Sequence, residues 1–277
     1  MIAIVVALAL TAPDKVDVRP AADLALTGVA LVGFAIPYLL ADQLAPARCR
    51  ICDGADNTGL PGTGSRGSLN AVDAWFHDAA TGWLTSRETA DAASSVVAYA
   101  LVPVGVIAGA WTATGPYSTD GAGWRAMAIV GESALVSAAL VQGVKYVAAR
   151  KRPFVRYGHG ETGGSYDVND TDSRISFPSG HSAFATSLGV ALATTATIEE
   201  SAAAPWLWAA AAVGSVTTGA LRMIAEKHYF TDVASGTLIG AACGVVVPLL
   251  HRRGGPMSSN SVSDAAQGPA IALTGTF

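Results

Sequence analysis

The chain is 277 residues long, and apolar residues gather in runs separated by short polar stretches. Six runs poor in charge lie at about 22–42, 92–114, 126–148, 181–198, 203–224 and 231–250. Each approaches the roughly 20 residues that one helix needs to cross the hydrocarbon core of a bilayer. Trp83, Trp111, Trp124, Trp206 and Trp208 fall near the ends of these runs, where an indole can be half in lipid and half in water. The pattern predicts an all-α fold, an integral membrane bundle of about six transmembrane helices, over residues 22–253.

Composition agrees, with 51% hydrophobic and 14% charged residues, more apolar than an ordinary soluble domain. A soluble, Ala-rich bundle is the competing reading, because several runs are short and rich in Ala and Gly. The net charge of −4 gives no sign of a nucleic-acid partner. Residues 1–21 open with "MIAIVVALALTAP", which has the apolar core of a signal peptide but no Lys or Arg before it. The tail 254–277 is rich in Gly, Ser and Pro and is expected to be disordered. Cys49 and Cys52 form a lone "CRIC". Zinc would need two further ligands that the loop does not offer, whereas a local disulfide needs only an oxidising compartment.

Counting crossings brings three distant patches to one membrane face. His181 opens the fourth run, and the chain crosses and returns before reaching Arg222 and His228. The third run ends on that same face with "GVKYVAARKRPF". There Lys145 and Arg152 are seven apart, which puts them on one side if the helix continues to Pro153. Arg150, Lys151, Arg152 and Arg156 taken alone read as a basic cluster gripping lipid headgroups. That reading leaves two histidines and an aspartate at the same place unexplained.

Their chemistry suggests an anion site. In "SFPSGHSAF", Ser179 is a natural helix cap, and Gly180 lets a ligand approach the backbone closely. The helix start that follows offers free N–H groups and a positive dipole end. Lys145, Arg152 and Arg222 add cations suited to phosphate oxygens. In "HYFTD", His228 and Asp232 are spaced to meet on one helix face. The carboxylate would fix the imidazole tautomer and free the other nitrogen to attack. His181 is the candidate general acid.

These residues resemble the motifs of the type 2 phosphatidic acid phosphatase superfamily, which includes lipid phosphatases and vanadium haloperoxidases. Lys145, Arg152 and Pro153 match the first motif, and Pro178 to His181 the second. Arg222, His228 and Asp232 match the third, with Leu221 where the family usually has serine. The resemblance implies a phosphohistidine formed on His228, supported by Asp232, with His181 protonating the leaving group. Lys145, Arg152, Ser179, Gly180 and Arg222 would bind the phosphoryl oxygens, and no metal or other cofactor is required. The implied substrate is a lipid phosphate or a polyprenyl diphosphate, and the implied setting is a multi-pass cell-membrane protein whose site faces the periplasm or exterior. A vanadate-dependent haloperoxidase and a non-enzymatic protein with a relic site are the alternatives. His159 reads as a solvated loop histidine, and His77 as part of an interfacial helix. Glu132 reads as a structural hydrogen-bonding group, and His251 as part of a membrane-flanking basic end.

Overall fold

A computed structural model describes residues 15–52, 69–81, 85–114 and 121–253. The signal-peptide-like core, Trp83 and the tail from 254 lie outside the described residues. The principal helices are α1 (Pro20–Leu39), α2 (Ala71–Ala80), α3 (Arg87–Val96), α4 (Val102–Thr114), α5 (Ala122–Ala148), α6 (Gly180–Ile198), α7 (Ala204–Ile224) and α8 (Phe230–Leu250). A wider π turn, Val97–Leu101, joins α3 to α4 as one continuous rod. Every predicted run is helical, with ends shifted by a few residues. Five helices are long and apolar enough to cross a membrane: Pro20–Leu39, Arg87–Ala113, Ala122–Ala148, Ala204–Ile224 and Phe230–Leu250. The remaining predicted run, the fourth, is α6, the central post of the bundle.

The bundle is apolar outside and mixed inside, as lipid-facing helices require. Leu24, Leu39, Trp206, Val216 and Leu238 are all at least 70% exposed. By contrast, α6 is buried from Ser182 to Ala196 apart from Phe184. Its small polar side chains find partners there, as where Thr186 Oγ1 donates to Ser215 Oγ at 2.9 Å.

A stripe of glycines fixes how α8 meets α6. A Cβ on Gly236 would lie 2.3 Å from the Ser179 carbonyl oxygen, and one on Gly240 2.3 Å from that of Ala183. One on Gly244 would lie 2.9 Å from the Ala191 nitrogen. The spacing of four puts all three on one face, so the two backbones touch along two helical turns. This contact sets the start of α8 beside the start of α6, and the Ser179 N–H donates to the Asp232 carbonyl at 2.9 Å. Gly219 of α7 packs against the Val233 side chain, with an added Cβ 2.6 Å from its Cγ1, which brings the end of α7 to that place.

One expectation about the fold is corrected. Helix α5 stops at Ala148, where Ala149 turns left-handed at φ 45°, four residues before Pro153. Residues 149–152 run extended instead, because backbone partners wait on both sides. Lys151 N donates to the Ile51 carbonyl, Arg152 N to that of Ser173, and Ser176 N to that of Arg150. Lys145 and Arg152 therefore do not share a helix face, and Pro153 opens a short turn, Pro153–Arg156.

Candidate active site

The predicted residues meet at one end of the bundle. Lys145 comes from the last turn of α5, Ser179 to His181 from the start of α6, and Arg222 from the last turn of α7. Asp232 lies in the first turn of α8. His228 sits in the loop between α7 and α8, not on the helix itself, and is 2% exposed.

The contacts of His228 define its chemistry. Arg152 Nη1 lies 3.2 Å from His228 Nε2. A guanidinium can only donate, so Nε2 carries a lone pair and the ring proton sits on Nδ1. On that side Ser176 Oγ is 3.4 Å away, and Asp232 Oδ2 3.7 Å. The direct histidine–aspartate hydrogen bond expected from their spacing is thus absent. Ser176 bridges the two, donating to Asp232 Oδ2 at 2.5 Å, because His228 precedes the helix and the i,i+4 geometry does not apply. Burial, together with the cations Arg152, Arg222 and Lys145, holds the His228 pKa well below the usual 6.5. The ring is neutral at neutral pH.

Asp232 is fully buried and amply supported. Arg150 Nη1 donates to its Oδ1 at 2.6 Å, and the Tyr229 N–H to its Oδ2 at 3.0 Å. The other arm of Arg150 reaches Asp73 Oδ2 at 2.8 Å, and its guanidinium lies 4.0 Å over the Tyr229 ring. Asp73, from α2, accepts from Thr231 N and Thr231 Oγ1. Arg150, Lys151 and Arg156 are each at most 6% exposed. The expected basic grip on lipid headgroups is corrected: these residues are interior, and Arg150 ties the catalytic-side aspartate to α2.

At this end of the bundle lies a polar cavity of about 250 Å³ lined by His181, Arg222, Asp91, Asp172 and Lys227, the neighbour of His228, among others. Arg222 Nη1 pairs with Asp91 Oδ1 at 2.5 Å and bonds Ser94 Oγ at 3.1 Å. Arg152 Nη2 pairs with Asp172 Oδ1 at 2.6 Å. Lys227 Nζ donates to the Ser165 carbonyl and lies 3.5 Å from Asp91. Burial and the nearby Arg152 push the Lys227 ammonium down to about 8, against the pull of Asp91 and Asp172. Lys145 has no ion pair among the described residues, yet is close enough to feel Asp172, Arg152 and Arg222. His181 Nε2 lies 3.3 Å from Ser95 Oγ, with its ring against Tyr99. At Gly180 an added Cβ would meet only Val141, at 3.9 Å. Nothing among the described residues demands a glycine there, which fits a backbone kept bare for a ligand.

Ser176, Asp73, Asp91, Asp172, Arg150 and Lys227 were not singled out by sequence reasoning as site residues. Ser176 stood inside the "SFPSGH" stretch and could have been found there. Arg150 and Lys227 flank motif residues. Asp73 and Asp91 come from distant segments, and Asp172 from the polar loop between the first two motifs, all with no local signal. The loop carrying His159 lines the cavity with Gly164, Ser165, Asp167, Asp170 and Asp172. His159 itself is not merely solvated, since its Nδ1 lies 2.7 Å from Glu226 Oε2. His77 lies 3.0 Å from Glu226 Oε1 and stacks on Tyr157. Burial would raise the Glu226 pKa, but these two histidines hold it below the ordinary value. The cluster fastens the loop before His228 to α2.

Cys49 and Cys52 form a disulfide, and Cys243 is a buried free thiol. Leu221 precedes Arg222 without donating to it; the hydroxyl beside Arg222 is Ser94 from α3.

Comparison with known proteins now bears on this arrangement. No curated protein matches the chain. Among solved structures, the first transmembrane PAP2 type phosphatidylglycerolphosphate phosphatase from Bacillus subtilis is similar at 20% identity and a TM-score of 0.45. The likeness covers 81% of this chain and 93% of that one. The family model of the PAP2 superfamily matches residues 126–255, a span that holds every motif residue from Lys145 to Asp232. Over that region the chain is similar to the PAP2 superfamily.

Proposed function

We propose that the protein is a phosphatase that hydrolyses a lipid phosphate or diphosphate through a phosphohistidine on His228, with no metal at the reacting phosphorus. The observation that carries this reading is the state of His228. It is neutral and buried, its Nδ1–H is turned to Ser176 and Asp232, and its Nε2 lone pair faces the cations.

The steps follow from that geometry. Substrate oxygens exchange with Asp172 and Asp91 as partners of Arg152 and Arg222, and take further donors from Lys145, Ser179 and the Gly180 N–H. His228 Nε2 attacks phosphorus as the bond to the lipid oxygen breaks. The growing charge on Nδ1–H is steadied by Ser176 and Asp232. His181 gives a proton to the departing oxygen. The anionic phosphoryl group offsets the surrounding cations and so favours the protonated His181 this step needs. Water then attacks phosphorus, His181 takes back a proton, the P–N bond breaks and inorganic phosphate leaves.

A lipid substrate is supported by an apolar cavity of about 500 Å³ between α4, α6 and α7. Ala185, in its wall, is one helical turn from His181. We place the site face in the periplasm or exterior. The Cys49–Cys52 disulfide lies on the segment that pairs with residues 149–151, and disulfides persist where the surroundings are oxidising. We assign the phosphatase unit to residues 22–253.

The test is phosphate release from a panel of lipid phosphates and polyprenyl diphosphates in detergent, with a chelator present. Wild type and His228→Ala would be compared, with vanadate as competitor. Chelator-resistant release that vanishes in the variant supports the reading, and release unchanged in the variant overturns it. Silence on every lipid, or halide oxidation by the vanadate-loaded protein, would favour a relic site or a haloperoxidase.

A further inference from the structure

At the other end of the bundle, Asp23, Glu132 and His251 converge from three helices. Asp23 lies in the first turn of α1, Glu132 in the third turn of α5, and His251 caps α8. Glu132 is 3% exposed and His251 5%, so the cluster is interior, with half-buried Asp23 at its rim.

The histidine is oriented as a ligand would be. Its Nδ1 lies 2.8 Å from the Val247 carbonyl. An oxygen there can only accept, so Nδ1 carries a proton. Metal-bound histidines are commonly held in this way by the nitrogen they do not use. Nε2 then points at Asp23 Oδ1, 3.2 Å away, and at Glu132 Oε2, 3.4 Å away. Ligand atoms around a tetrahedral cation with bonds of about 2.1 Å are about 3.4 Å apart.

A second observation points the same way. Glu132 Oε1 is buried and has no hydrogen-bond partner among the described residues. Leaving such an oxygen unpaired costs about 1–3 kcal/mol or more, and an ion pair through Oε2 alone does not explain it. A cation between the three residues would.

We propose that Asp23, Glu132 and His251 form a binding site for a divalent first-row metal cation, Zn²⁺ or Mn²⁺, at the end of the bundle opposite the phosphatase site. One imidazole nitrogen and two carboxylate oxygens suit these ions better than Mg²⁺ or Ca²⁺, which favour all-oxygen shells. The site would clamp α1, whose outer face is the most lipid-exposed of the bundle, onto α5 and α8. Burial lowers the His251 pKa, but Glu132, Val247 and Asp23 together raise it to about 9. A proton therefore competes for Nε2, and binding releases it.

The experiment uses the full chain in detergent, stripped with EDTA and dialysed against Zn²⁺ or Mn²⁺. Bound metal is measured by mass spectrometry and the unfolding temperature with and without the ion. Wild type should hold one equivalent and gain thermal stability. Asp23→Asn and Glu132→Gln, both close in shape to the original, should bind at least tenfold more weakly and lose the gain. Absence of saturable binding in wild type would overturn the proposal and leave an imidazolium held between two carboxylates. Equal binding in both variants would also overturn it, by placing the metal elsewhere.

Discussion

Arg152 Nη1 stands 3.2 Å from His228 Nε2 while Ser176 Oγ stands 3.4 Å from Nδ1. The two contacts fix the imidazole from both sides: a donor that cannot accept on one nitrogen, an oxygen pair on the other. The same guanidinium bonds the Asp172 and Lys227 carbonyls and the Asp172 carboxylate. A lysine ammonium is a compact point charge and cannot span that set. Arg152→Lys is therefore expected to lower kcat about 10²–10³-fold, the usual cost of one lost transition-state donor. Steady-state kinetics on the preferred lipid checks this, and an unchanged kcat would remove Arg152 from the reaction.

Arg150 predicts a different phenotype. Its partners Asp73 and Asp232 are buried at 1% and 0% exposure, so Arg150→Met leaves two carboxylates without their shared cation. Breaking a buried pair by removing one partner costs about 3–5 kcal/mol. The unfolding temperature in detergent should fall sharply. Were Arg150 a lipid-headgroup contact, stability would stay level and only vesicle binding would weaken.

The helices were legible because burial in lipid demands long uncharged runs, and such runs are visible one residue at a time. The motif residues were legible because each sits at or a few residues from a helix end, where counting crossings assigns a face. The partners of those residues were not. Asp73 and Asp91 reach the site from segments far away in sequence, and Asp172, in the loop between two motifs, looks like any solvated charge. The extended path of 149–152 was hidden too, since it depends on carbonyls of Ile51 and Ser173 that no local pattern announces. The glycine stripe of α8 was present in "GTLIGAACG", but its meaning depends on α6 being its neighbour.

The pH profile follows from two groups outside the helices. His228 must be neutral to attack, and its lowered pKa keeps it so through and below pH 6.5. The acidic limb of kcat/KM, corrected for substrate ionisation, should therefore lie below that value. Lys227 lines the cavity and loses its charge above about 8. If its ammonium helps hold the phosphoryl group, activity falls as pH rises through 8. Lys227→Arg keeps the charge and should move that alkaline limb upward. A limb left in place would assign it to another group.

Two glycines separate ligand approach from packing. Among the described residues, an added Cβ at Gly180 meets nothing closer than Val141 at 3.9 Å, whereas at Gly236 it meets the Ser179 carbonyl oxygen at 2.3 Å. Gly180→Ala should then fold with an unfolding temperature near that of wild type. Its methyl group would stand where a phosphoryl oxygen must approach the first turn of α6, so KM should rise and kcat/KM should fall at least tenfold. Gly236→Ala forces α8 away from α6, and overpacking of this kind costs about 1–3 kcal/mol. It should lower the unfolding temperature and, because Ser179 bonds the Asp232 carbonyl, also disturb turnover. Kinetics and thermal unfolding of both variants decide the matter. If Gly180→Ala loses stability without losing activity, the bare backbone serves packing and the phosphate does not approach there.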